Sequence, residues 1–476
     1  MALSRSARPR SARPRVRHRT RLLALATAAA AAFTVAAAPG GSPGDPGAGD
    51  TYFPNLGNGG FDALHYDLGV RYDPDTDRLD GRTTITARAT KNLSAFDLDL
   101  QKLDVTSVRV NGERARFGRS GDELTVTPAT VLRGGKRFTV RIDYGGVPEP
   151  LGGPIVFGSQ YGWMKTADGV FVACEPNAAS TWFPSSDHPG DKATYDIRID
   201  APKGLTGVSN GRLVAAYEKH GRSYAHWRET RPMATYLATA TIGKFDVRTG
   251  TTPGGIPVYT AIDPTLPTGG VDVYGITAEA TDYWSKVFGP YPFEETGAIV
   301  DDMPEAGFSL ETQTKPVYSA VRNETTIVHE LAHQWFGDSV SVAKWQHIWL
   351  NEGFATYAQW LWSEHKGQLS AHDSFLKAYR ARPAESDFWK VRVGDPQRDT
   401  MFSSAVYQRG AMTLQALRER IGDKAFFALL PAWTRAHQYG NATTAQFIAL
   451  AERISGQQLD DLFDTWLFTD SRPALP

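Results

Sequence analysis

Two histidines four residues apart, His329 and His333, lie in the run Thr325–Phe336. Its apolar periodicity predicts a helix that carries both imidazoles on one face, one turn apart. So placed they can share a tetrahedral metal, and a catalytic zinc needs one further protein ligand with a fourth position left open. Glu352, in Ile348–Ala355 on a second predicted helix, is the candidate third ligand. A connection of about ten residues between antiparallel helices brings it beneath the two imidazoles. Glu330 lies about 100° around the first helix from His329, near enough to reach a water on the metal without ligating it. The competing reading is a pair of ordinary helix histidines. Chance produces H-E-x-x-H in about one chain of this size in a hundred, and a glutamate at one stated later position multiplies that by roughly 0.04. The spacing therefore predicts one zinc per chain, and the two helices have to pack at that point.

Around this constraint, 476 residues suggest two or three domains at roughly 100–200 residues each. Hydrophobic residues at 41% and charged residues at 22% exclude a disordered chain. From Tyr52 to about Val247 the pattern is β: period-two alternation at Thr83–Ala89, Asp97–Leu100 and Phe138–Tyr144, with Asn111-Gly112 as a hairpin turn. After Gly250–Gly255, helical patterns run over Val271–Val287, Thr325–Phe336, Ile348–Glu364, Gln408–Ile421 and Thr443–Ile454. The expected fold class is α+β, with a β-sheet domain over 51–247 followed by a helix-rich domain over 248–476. Cys174 is the only cysteine, so no intrachain disulfide forms and a small buried hydrophobe is the expected role.

Residues 1–21 carry arginines at 5, 8, 10, 13, 15, 17, 19 and 21 and no acid, and Leu22–Ala38 is uncharged and ends in three alanines. This basic-then-apolar order predicts a signal peptide over 1–38, followed by a flexible Gly/Pro linker over 39–50. The expected product is secreted, with no stable membrane span after signal removal, because the apolar run is short and mostly alanine. Net charge is -1 overall, so the chain beyond the arginines is acidic and nucleic acid is not an expected partner.

His329-Glu330-x-x-His333 followed by Glu352 within Trp349-Leu350-Asn351-Glu352-Gly353-Phe354-Ala355 resembles the gluzincin zinc aminopeptidases, the family of membrane alanyl aminopeptidase and leukotriene hydrolase. Pro232–Leu237 through Gly243–Phe245 resembles the segment by which that family leaves its first domain. Val406–Met412 resembles its catalytic tyrosine segment, and the likeness runs from about residue 60 to the C-terminus. It implies a thermolysin-like catalytic domain after the β domain, in a two-domain form without the long C-terminal helical domain of many members.

The resemblance also implies roles. Tyr407 matches the family tyrosine, and a phenol over the metal can donate to a developing oxyanion. Glu175, ahead of Pro176-Asn177, matches the position that binds the free amine of a substrate. Glu311 resembles the glutamate of the Gly-x-Met-Glu-Asn strand with the same task, although Leu310 replaces Met, Thr312 replaces Asn and one extra residue separates it from Gly307. Asp338 replaces a usual Asn and is left between a ligand-orienting role and a helix-end residue. The implied activity is removal of N-terminal residues from peptides with a free N-terminus. A zinc endopeptidase, an epoxide hydrolase and a non-catalytic peptide-binding module are the alternatives.

Overall fold

The computed structural model describes residues 40–156 and 158–476; the expected signal peptide lies outside them. The first domain is built on an eight-stranded sheet in the order 212–219, 222–234, 192–202, 61–73, 78–89, 137–146, 104–110, 113–114. Its strands are antiparallel except where Lys192–Pro202 runs parallel to Phe61–Asp73. Alternation along Arg78–Ala89 buries one side-chain row and leaves the other at the surface. A five-stranded sheet, in which Val170–Ala173 is wholly buried, covers the apolar face. Tyr72 of the large sheet meets Trp163 of the small one edge-on at 5.4 Å. The Asn111-Gly112 turn forms as expected, both residues having positive φ. Asp97–Leu100, expected as a strand, makes only isolated bridges at Asp99.

The expected linker is not one. Ser42 N–H donates to Asn92 O at 3.0 Å and Gly44 N–H to Ala95 O at 2.8 Å. The buried Asp50 carboxylate accepts from the N–H of Tyr52 at 2.7 Å and of Trp345 at 2.8 Å, and meets His188 Nε2 at 3.2 Å. The tract over 40–50 is a strap joining both domains. Gly44 and Gly47 serve close approach: a Cβ on Gly47 would stand 2.0 Å from Pro54 O and one on Gly44 2.5 Å from Gly59 O.

The chain leaves the first domain at Lys244-Phe245, slightly before the expected boundary, because Asp246–Thr251 already pairs with Pro257–Ile262 in the second domain's sheet. That sheet orders its strands 246–251, 257–262, 296–300, 317–318, 309–310. Helices α1 (Val273–Val287), α2 (Glu324–Ala332), α3 (Trp349–His365), α4 (Ala371–Arg380), α5 (Ser404–Ile421), α6 (Asp423–Ala436) and α7 (Thr444–Ser455) follow. An aromatic core supports α2 and α3, with Phe336 stacked on Phe354 at 4.3 Å and Phe354 edge-on to Phe447 at 5.2 Å. Truncating one such side chain to Ala costs about 3–5 kcal/mol. Cys174 is free and fully buried, and burial pushes its thiol well above the ordinary range.

Candidate active site

Helix α2 starts where the Asn323 side chain accepts from the Thr326 N–H at 2.9 Å. It ends at Ala332, earlier than the expected Phe336, so the connection to α3 is His333–Ile348 and longer than ten residues. In the turn that follows, Phe336 O stands 2.9 Å from His333 Nδ1. This bond fixes the ring and leaves Nε2 facing inward. His329 Nε2 and Glu352 Oε2 are 3.3 Å apart, His333 Nε2 and Glu352 Oε2 3.4 Å, and the two Nε2 atoms 3.2 Å. Three corners of a tetrahedron with bonds of about 2.0–2.1 Å are about 3.3–3.4 Å apart, so two imidazoles and a carboxylate in this array fit a zinc ion.

Helices α3 and α5 cross at two glycines beside Glu352. A Cβ on Gly353 would stand 2.9 Å from Gly410 Cα, and one on Gly410 2.8 Å from Gly353 Cα. Any larger residue forces the helices apart. The crossing also brings Tyr407, one turn before Gly410, to the same place, where its ring lies parallel to His329 at 6.0 Å. Burial above all, and then the surrounding carboxylates, raises its phenol well above the ordinary range, so it stays protonated and able to donate.

Glu330 is 6% exposed and shares with Glu311 and His333 a cluster whose polar atoms lie within 4.8 Å of one another. It stands outside the set His329, His333 and Glu352. Burial raises its carboxyl well above the usual range; His333 opposes this, and Glu311 and Glu352 add to it. For Glu352 burial is also the largest influence, but the two imidazoles outweigh it and hold the carboxyl below the usual range.

The remaining acids arrive from both domains. The buried strand Val170–Ala173 delivers Glu175, whose Oε1 is buried with no hydrogen-bond partner. Glu311 follows the edge strand Ser309–Leu310; Tyr236 of the first domain donates to its Oε1 at 3.4 Å, and Gln334 Nε2 to its main-chain O at 3.2 Å. Burial first, then repulsion from Glu311 and Glu352, raises the Glu175 carboxyl well above its ordinary value. One cavity of about 360 Å³ is lined by all seven residues singled out in the sequence: Glu175, Glu311, His329, Glu330, His333, Glu352 and Tyr407.

Asp338 does not orient a ligand with its side chain. Both carboxylate oxygens are buried without partners, while its N–H donates to His333 O at 3.0 Å and its main-chain O accepts from Lys192 Nζ at 2.6 Å. Sequence reasoning missed three contributors. Tyr236 lies inside the segment Pro232–Leu237, Gly353 directly follows Glu352, and Gly410 lies one turn after Tyr407. A helix-interior glycine is the signal for such a crossing.

Residues 62–237 match the peptidase M1 N-terminal domain and residues 294–466 the peptidase family M1 domain. The chain is similar to an M1 zinc metallopeptidase from Deinococcus radiodurans, with a TM-score of 0.82 and 30% identity over 90% of this chain and 98% of that one. A variant of the Deinococcus radiodurans M1 zinc metallopeptidase bound to a Tyr-Ser-Ala substrate gives a TM-score of 0.83 at 29% identity, over 90% and 99% of the two chains. Aminopeptidase M1 of Arabidopsis thaliana is 30% identical over 63% of this chain and 37% of that protein. Glutamyl aminopeptidase of Mus musculus is 26% identical over 85% and 46%. The chain thus spans less than half the length of these two relatives. With the His329, His333 and Glu352 array and both family domains present, the chain belongs to the M1 family of zinc metallopeptidases.

Proposed function

We propose that this protein is a secreted zinc aminopeptidase that hydrolyses the first peptide bond of peptides with a free N-terminus. The observation that carries the reading is the convergence of Glu175 and Glu311, from different domains, on the cavity of the metal array. Two carboxylates buried without a cation are costly, and an α-ammonium on the substrate offsets that cost. His329, His333 and Glu352 would hold the zinc ion, which would supply Lewis acidity toward a substrate carbonyl and a water. Glu330 takes the proton of the attacking water and passes it to the leaving amine. The Tyr407 phenol donates to the carbonyl oxygen as negative charge builds on it. Glu175 and Glu311 hold the ammonium at one fixed distance from these groups, which limits cleavage to the first bond.

Aminoacyl amides should be cleaved and their N-acetylated forms should not. A charge-assisted hydrogen bond contributes about 1.5–3 kcal/mol, so Glu175→Ala should lower kcat/KM roughly 10- to 150-fold with zinc content unchanged. Comparable cleavage of free and acetylated peptides, or cuts within long peptides, returns the reading to an endopeptidase. Tyr407→Phe should lower turnover about ten- to a thousandfold, again with zinc retained. Near-normal turnover makes Tyr407 a packing aromatic.

Secretion rests on the order of charge and hydropathy in residues 1–38. Ser42 already belongs to the fold, so the mature chain is expected to begin between Pro39 and Ser42. N-terminal sequencing of protein from the culture medium checks this, and an intact Met1 overturns it. Among the described residues no helix is long and apolar enough to cross a membrane.

A further inference from the structure

We propose, resting on the aminopeptidase reading, that the cavity selects a neutral apolar or aromatic N-terminal side chain and excludes an acidic one. Once the metal array, Glu330, Tyr407 and the two ammonium-binding acids have their tasks, the side chains left as walls for the first residue are Val156, Ser159, Phe308, Ser309 and Phe402, with Gly307 adding only backbone. Three are apolar, two of them aromatic, and the serines are neutral. No lysine or arginine lines the cavity among the described residues. Arg322 stands behind the wall rather than in it: its Nη2 donates to Phe308 O at 3.2 Å and to Ser319 Oγ at 2.6 Å, and its charge acts on Glu330.

The charges point the same way. Four carboxylates, Glu175, Glu311, Glu330 and Glu352, line the cavity. Polar atoms of Glu311, Glu330 and His333 lie within 4.8 Å of one another, so the acids are crowded before a substrate arrives. A substrate aspartate or glutamate would add a further negative charge with no cation to meet it, in a buried site where like charges are weakly screened. A basic side chain finds no carboxylate there that is not already engaged by the metal, the water or the α-ammonium. Burying its charge against Phe308 and Phe402 carries a desolvation cost that an apolar side chain avoids. A volume of about 360 Å³ lies near the lower end of the roughly 300–1,000 Å³ of ligand pockets.

The test uses zinc-loaded protein and two readouts. In the first, kcat/KM is measured on leucine, phenylalanine, lysine and glutamate amides. Leucine and phenylalanine should exceed lysine, and should exceed glutamate by at least about a hundredfold. In the second, calorimetry compares free L-phenylalanine with free L-glutamate, and glutamate should bind at least about a hundredfold more weakly. Ser159→Arg should bring a cation to the wall and narrow the leucine-to-glutamate ratio at least about tenfold. Phe402→Ala should lower the preference for phenylalanine over alanine amides. Glutamate within tenfold of leucine, lysine above leucine, equal binding of the two amino acids, or unchanged ratios in both variants overturns the proposal. Failure of the underlying reading looks different: no free amide is cleaved whatever its side chain, or acetylated amides are cleaved as fast as free ones.

Discussion

Glu352→Ala is expected to yield a folded protein that no longer retains zinc and has no measurable turnover on aminoacyl amides. The Glu352 carboxylate stands 3.3 Å from His329 Nε2 and 3.4 Å from His333 Nε2, so it supplies one of three protein corners and the only negative charge among them. Two neutral imidazoles alone bind a divalent ion far less tightly, and changing even an outer-shell partner of a zinc site lowers affinity about 10- to 100-fold. Losing a direct ligand should exceed that range. Elemental analysis after dialysis against a weak chelator reads the result: about one zinc per chain in the parent and a small fraction of that in the variant. The parent should lose activity to phenanthroline and regain it with zinc. Full activity in metal-free protein, or undiminished zinc in Glu352→Ala, rules out the metal assignment. Circular dichroism separates metal loss from unfolding.

Glu330→Gln is expected to keep its zinc and lose turnover by about a hundred- to ten-thousandfold, the range that a positioned general base contributes. The substitution preserves shape and removes only the ability to take a proton. Glu330 lies outside the metal array, so metal content and fold should not change. Binding of a free amino acid should persist as well, since the proposed ammonium site is Glu175 and Glu311 rather than Glu330. Zinc loss in this variant would make Glu330 a ligand, and near-normal turnover would move the base to another residue. A fall in kcat at constant KM is the expected pattern, because the proton moves only in the transition state.

The parts of this site readable from the sequence are those that local geometry decides. His329 and His333 share a face because a helix repeats every 3.6 residues, and Glu330 follows from the same arithmetic. The hairpin at Asn111-Gly112 was legible because both residues tolerate positive φ. Among the described residues α4, α6 and a single helical turn at Asp460–Phe463 were not anticipated, although Ser370, which accepts from the Asp373 N–H at 3.0 Å, is a helix start signal. The Gly/Pro tract before Asp50 was misread because composition does not distinguish a glycine that frees the backbone from one that lets two backbones touch.

Glu175, Glu311 and Tyr407 stand between these cases. Family likeness pointed to them, but no spacing rule joins residues so far apart in the chain. Their meeting depends on the crossing of α3 and α5 at Gly353 and Gly410, on the buried strand that delivers Glu175, and on Tyr236 reaching Glu311 from the other domain. The sequence by itself determined that His329, Glu330 and His333 sit within one turn of a helix and that the chain changes from β to helix-rich structure, since each follows from periodicity within a few turns of chain. Only the tertiary structure decided which carboxylates share the cavity, how its neutral walls are composed and that the N-terminal tract straps the two domains. These are contacts between segments hundreds of residues apart, and close packing rather than local propensity selects them.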